Sequence, residues 1–211
     1  IEDLGTNHAD KEHKHMLLVG DNIYTQSFAS SGGGIYKYDI NTQTHSTLYT
    51  GPTGGGQSGR GFGMVLDRTG DYIYSAWQEG PWNGKDIEIY KIKLSDGTKN
   101  NSDDITITQD AQDGRGLSRV GNYLYLALST QRVIIRIDIA NKSSEIWVGK
   151  SGDSSDTNGT GTNATLNMPR ASCVGPNNKY LYLVENHNNS CRIKKIEISS
   201  ATVSDWYLGT N

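Results

Sequence analysis

Four copies of an Ile/Leu-Tyr pair, each followed by a strand-like hexamer and a short closing strand, predict an all-β chain. The architecture they imply is a β-propeller with about four four-stranded blades in this chain. The pairs are Ile23-Tyr24, Ile73-Tyr74, Leu124-Tyr125 and Leu181-Tyr182, spaced by 50, 51 and 57 residues. The hexamers occupy residues 35–40, 89–94, 134–139 and 193–198. Their first position is always Ile, and their third is always basic: Lys37, Lys91, Arg136 and Lys195. The fourth and sixth positions are apolar or Tyr, and the fifth is acidic in Asp39, Asp138 and Glu197. Apolar residues at alternate positions describe a strand with one buried face, and the charges mark its wetter side.

The other strands follow in order. An inner strand opens the later units at residues 61–66, 116–120 and 171–174, and closing strands lie at 46–50, 105–108, 145–148 and 205–208. The blade-like units therefore span about 12–51, 59–109, 114–149 and 168–209, within a single propeller region over residues 1–211. A β-sandwich would explain the strands but not the repeated lettering. Composition agrees, with 25 Gly and 12 Tyr beside only 4 Pro and 2 Phe, and it excludes a helical bundle, a coiled coil and a disordered tail. A formal net charge of −3 gives no basic excess for nucleic acid or an anionic membrane. No apolar run approaches the length of a membrane span.

In the fourth unit, Asn158-Gly159-Thr160-Gly161-Thr162-Asn163-Ala164-Thr165-Leu166-Asn167-Met168-Pro169-Arg170 resembles the linker of NHL-repeat propellers, D-G-x-G-x-x-A-x-F-N-x-P-R-G. Residues 180–186 and 191–196 are similar to that family's L-Y-V-A-D-T and H-R-I-R-K-I strands. The match is specific over residues 149–198 and rests on strand lettering alone elsewhere. Asn158 stands where the family has Asp, Ala171 where it has Gly, and Glu185 where it has Asp. The resemblance implies a propeller. Members of the family range from binding scaffolds to lyases and lactonases, so the fold leaves function open.

The NHL family usually closes with six blades, and this chain holds about four. Leu4-Gly5-Thr6-Asn7 recurs as Leu208-Gly209-Thr210-Asn211, so residues 1–7 resemble the end of a preceding outer strand. The chain begins with Ile1. Three accounts compete: a fragment of a longer propeller, a closed four-bladed ring, and a unit whose open blade edges pair with other copies. The end repeat favours a fragment or an assembly unit.

Arg60, Arg115 and Arg170 each precede an inner strand at intervals of 55 residues, and Lys14 occupies a similar place in the first unit. Such a ring at the channel rim could hold a carboxylate, sulfate or phosphate. The alternative is structural, with each cation paired to a neighbouring blade. In the resembling family the partner is the acid at the end of the A-D-T strand, a place that only Glu185 fills here. Glu185 and Asn186 are the only pair in the neighbourhood where related enzymes gather catalytic groups.

His8, Asp10, His13 and His15 cluster near the start, and an extended chain would put His13 and His15 on one face; two ligands do not make a metal site. His45 and His187 are isolated. No metal, cofactor or catalytic set is implied. Cys173 and Cys191 are compatible with a disulfide only if Cys191 leans over the sheet from a loop.

Sequons at Asn100, Asn141, Asn158, Asn163 and Asn188 all fall in expected turns or linkers, where a glycan fits, and point to an extracellular or cell-surface chain. Trp77, Pro81 and Trp82 lie in a Gly-rich insertion, where exposed indoles could stack on sugar; the alternative is packing beneath their own loop. Trp147 and Trp206 on outer strands are expected to cover blade edges or a subunit contact. Together these features favour a non-catalytic extracellular module that serves as a structural or recognition element. Its partner would be protein or glycan, copies of itself included. The rival readings are a lyase- or lactonase-like enzyme at the rim and an intracellular protein-binding propeller.

Overall fold

The computed structural model describes residues 12–28, 33–52, 59–79, 86–109, 111, 113–187 and 190–208. They form four antiparallel sheets in which consecutive strands are neighbours, the up-and-down meander of propeller blades. The chain divides into two compact units, residues 1–105 and 106–211.

The first unit holds a blade of β1 (Glu12–Val19), β2 (Asn22–Phe28), β3 (Gly34–Asp39) and β4 (Thr44–Thr50). Its second blade is β5 (Gly61–Leu66), β6 (Tyr72–Glu79), β7 (Asp86–Lys93) and β8 (Ile105–Thr106). In the second unit the third blade is β9 (Gly114–Val120), β10 (Tyr123–Leu128), β11 (Val133–Asp138) and β12 (Ser143–Val148). The fourth blade has a strand more. The linker contributes β13 (Gly159–Thr160), which covers part of the outer edge formed by β17 (Thr202–Leu208). Its other strands are β14 (Pro169–Val174), β15 (Tyr180–His187) and β16 (Ser190–Glu197). Among the described residues no helix is long and apolar enough to cross a membrane.

Turn chemistry explains part of the repeat. Gly20-Asp21 and Gly121-Asn122 close two-residue hairpins with the glycine at φ 56° and 59°. That geometry favours glycine at the first central position, and its twist matches the flanking strands. The acid at the fifth hexamer position serves the next turn rather than a wet strand face. Asp39 Oδ1 accepts the N–H groups of Asn41 and Thr42 at 3.0 and 2.9 Å. Asp138 Oδ1 accepts those of Ala140 and Asn141 at 2.9 and 3.0 Å. Glu197, at the same place in the fourth blade, instead accepts the Ser200 hydroxyl at 2.8 Å.

The basic third position has an equally local cause. Lys37, Lys91, Arg136 and Lys195 lie directly across from Tyr24, Tyr74, Tyr125 and Tyr182. Paired residues share a face of the sheet, so each cation stands beside the repeated tyrosine. In three blades it also lies over the ring of the tyrosine two residues earlier: Tyr72 at 4.4 Å, Tyr123 at 5.1 Å and Tyr180 at 4.9 Å.

Each unit is held by one blade face packed on the next. In the first unit Tyr24 and Ile35 of the first blade cluster with Met64, Ile73, Trp77, Tyr90 and Ile92 of the second. In the second unit Tyr125, Ala127, Ile134, Trp147 and Val148 meet Leu181, Leu183, Ile196 and Val203, with Ala164 and Leu166 from the linker. Each such aliphatic side chain contributes about 1.5–3 kcal/mol by leaving water. Tyr24 points toward the second blade and Ile73 back to the first, as Tyr125 points toward the fourth and Leu181 back to the third.

Candidate functional site

In the second unit Arg115 and Arg170 are each the second residue of an inner strand, β9 and β14. The strands run close together: a Cβ on Gly116 would sit 3.1 Å from the Arg170 carbonyl oxygen. Ser118 donates to the Ser172 carbonyl at 3.0 Å, and the two hydroxyls are 2.8 Å apart. Arg115 is paired, its Nη2 lying 2.5 Å from Asp113 Oδ1. Arg170 is half-buried. Arg60 directly precedes β5 in the first unit, where its carbonyl accepts the Gln78 N–H at 2.9 Å. Lys14 is exposed in β1, at an irregularity between His13 and His15. Arg115 and Arg170 therefore share one unit, while Arg60 and Lys14 share the other.

Glu185 does not face solvent. It is fully buried, and its Oε1 accepts the Asn167 N–H at 2.9 Å, which ties the linker to β15. Among the described residues its Oε2 has no hydrogen-bond partner. Burial pushes its pKa up to about 8; the Asn167 N–H opposes this, nearby Asp156 adds to it, and Lys194 and Arg192 pull it down.

Beside Glu185 lies a buried ionic network that the sequence did not disclose. Lys194, fully buried in β16, approaches Asp156 at 2.8 Å and Asp205 at 2.7 Å, and donates to Asn158 Oδ1 at 3.2 Å. Arg192 also pairs with Asp156. Burial pulls the Lys194 pKa down, but the bonds to Asp156 and Asp205 outweigh it and hold the ammonium above its ordinary value. A signal was available. The second hexamer position is Tyr36, Tyr90, Ile135 and then Lys194, so a cation stands on the apolar face of that strand.

Several expectations are corrected. Trp77 is no exposed platform: it is fully buried in β6, with ring centroids 6.1 Å from Tyr49 and 6.4 Å from Tyr90. Pro81 and Trp82 lie outside the described residues, as do His8, Asp10 and Asn188. His13 pairs with Ser27 and His15 with Gln26, so the irregularity at Lys14 turns the two imidazoles to opposite faces. Cys173 and Cys191 are both free and exposed. Cys173 stands across from Tyr182 and Cys191 across from Asn186, so four residue steps of β15 as well as two strand spacings separate them, beyond disulfide reach. Asn100, Asn141 and Asn163 are exposed. Asn158 has its amide committed, donating from Nδ2 to Asp205 Oδ2 at 3.0 Å while Oδ1 takes the Lys194 bond. A glycan on Nδ2 would take the place of one of its two hydrogens beside the Asp205 carboxylate. Trp147 is buried against the fourth blade rather than at a blade edge, and Trp206 is exposed.

No family model matches the chain, and no curated protein sequence matches it. Solved structures share its fold at low identity. The hydrazine synthase of Kuenenia stuttgartiensis superposes with a TM-score of 0.60 and 12% identity, over 94% of this chain and 50% of that one. An auxiliary nutrient binding protein from Bacteroides thetaiotaomicron gives 0.51 and 13%, over 92% and 56%. The extracellular domain of a hybrid two-component system from the same organism gives 0.59 and 13%, over 98% and 22%. The chain spans about half the length of the first two. A synthase, a nutrient binding protein and an extracellular domain thus share the architecture, and the likeness shows fold alone.

Proposed function

We propose that this chain is a non-catalytic extracellular β-propeller module, a structural and recognition element of NHL-like kind that binds a protein or glycan partner, copies of itself included. The observation that carries this reading is the set of large apolar side chains exposed on two blades. Met16 and Leu18 stand out on β1 in the first unit, and Trp206 and Tyr207 on β17 in the second. Grouped exposure of this kind marks interaction sites. Arg115 and Arg170 in the second unit, and separately Lys14 and Arg60 in the first, offer further contacts for an anionic group on the partner. A nutrient-binding protein and an extracellular domain among the structural neighbours support binding at a cell surface. Buried Glu185 weighs against the lyase or lactonase reading.

The free, exposed cysteines favour one rival, an intracellular protein-binding propeller, because a reducing compartment keeps thiols free. The intact mass of the natural protein before and after deglycosylation separates the two. Glycan-sized losses mapping to Asn100, Asn141 or Asn163, with Asn158 unoccupied, are expected of the extracellular module. A mass that deglycosylation leaves unchanged moves the weight to the intracellular reading. Stoichiometric metal with hydrolase or lyase turnover would overturn both.

A further inference from the structure

The third and fourth blades carry the same aromatic pair in the same place. In β12 the pairing passes from Ile134–Val148 to Ile135–Ile146 and leaves Trp147 in the irregularity. In β17 it passes from Ile193–Tyr207 to Lys194–Asp205 and leaves Trp206 there. Trp147 meets Tyr125 edge-on at 4.7 Å and 61°; Trp206 meets Tyr182 at 5.0 Å and 62°. Their surroundings differ. Trp147 is 6% exposed because the fourth blade lies on it, whereas Trp206 is 59% exposed.

What covers the first pair tells what fits the second. Tyr125 and Trp147 are sealed by a blade face that presents Leu181, Leu183, Ile196 and Val203. The first unit repeats the arrangement, with Met64 and Ile73 of the second blade lying on Tyr24 of the first. An apolar blade face is thus the cover that this surface takes in both units, aliphatic in the second and mixed with Trp77 and Tyr90 in the first.

Among the described residues the first blade leaves such a face exposed. Met16 stands across from Thr25, as Met64 does from Ser75 and Leu117 from Leu126. Met64 and Leu117 are each 7% exposed, but Met16 is 73% exposed, with Leu18 beside it at 64%.

We propose that the Tyr182–Trp206 face of the fourth blade is a docking surface for the Met16–Leu18 face of the first blade of a second copy of this chain. The contact is head-to-tail, between unlike faces, and repeats the packing already present inside each unit. Trp206 is its anchor, as a central tryptophan in a desolvated pocket commonly is. Lys195 and Tyr180 flank it. This inference rests on the recognition reading and names its partner; it places the contact on blade faces rather than on open strand edges.

Sedimentation velocity of the 211-residue chain tests it, with Trp206→Glu, Leu18→Glu and their equimolar mixture; Met16→Glu serves if Leu18→Glu loses its near-ultraviolet dichroism. The wild-type chain is expected to sediment above its 23.1 kDa monomer mass in a concentration-dependent way. Each variant alone should be monomeric. The mixture should form a one-to-one dimer, because each variant retains the face that the other lacks. A monomeric wild type, association unchanged by the substitutions, or a mixture that stays monomeric overturns the proposal. A monomeric wild type that still binds glycan or another protein through Trp206 overturns it while leaving the recognition reading intact; a chain that binds nothing overturns both.

Discussion

The two units solve the same packing problem with different polar groups. In the first, a neutral amide joins the blades. Gln26, fully buried, donates from Nε2 to Ser75 Oγ at 2.8 Å and to the Ala76 carbonyl at 3.1 Å, and accepts the Gly63 N–H at 2.8 Å on Oε1. In the second, buried charges join the linker to the fourth blade through Lys194, Asp156, Asp205 and Arg192, with the half-satisfied Glu185 alongside. The apolar lettering is shared. The comparison teaches that repeat residues specify how blade faces pack, while the polar joints are particular to each unit and set its response to pH.

The largest effect should come from removing the central cation. Lys194→Met preserves volume but strips Asp156 and Asp205 of their shared cation, leaving Arg192 on the first and the Asn158 amide on the second, and should destabilise by about 3–5 kcal/mol in denaturant unfolding. Gln26→Ala should cost less, about 1–3 kcal/mol, by stranding the Gly63 N–H and the Ser75 hydroxyl. Its cost should not vary between pH 5 and 8, since none of these groups titrates.

Glu185 sharpens the contrast. In the folded chain it holds its proton up to about pH 8, whereas unfolded it ionises near 4.5. The folded state binds the extra proton across that window, so stability falls as pH rises, by at most about 1.4 kcal/mol per unit from this group. Glu185→Gln, which keeps the acceptor for Asn167, should flatten that slope and leave the chain more stable than wild type at pH 8. An unchanged slope would place the carboxylate in water. The smallest effect concerns Ala201, which sits at φ 57° after β16; Ala201→Gly should raise the melting temperature slightly by relieving a left-handed alanine, an effect of about 1 kcal/mol.

The blades were legible in the sequence because period-two alternation and a repeated Ile/Leu-Tyr pair are local signals. What was not legible depends on pairing register or on distant segments. The irregularity at Lys14 cannot be read from strand letters, and it alone decides that His13 and His15 face apart. Trp77 looked like loop because a Gly-rich stretch follows it, yet it closes a strand whose face is buried. Asp156 lies in a Ser/Gly/Asp-rich linker that reads as solvated, and only folding brings Lys194 and Arg192 to it. Asn158 carries a formally complete sequon whose amide is already engaged. Of the candidate site, the even spacing of Arg60, Arg115 and Arg170 was plain, but the Asp113 partner of Arg115 and the burial of Glu185 were not.

The central claim is that the aromatic pairs on the third and fourth blades are equivalent and that a second copy covers the one left exposed. Oxidative footprinting of Trp147 and Trp206, read by peptide mass, compares them directly in the wild-type chain and in Leu18→Glu. Trp147 should be protected in both, and Trp206 protected in the wild type but reactive once Leu18 is replaced. Trp206 equally reactive in both chains would contradict the account.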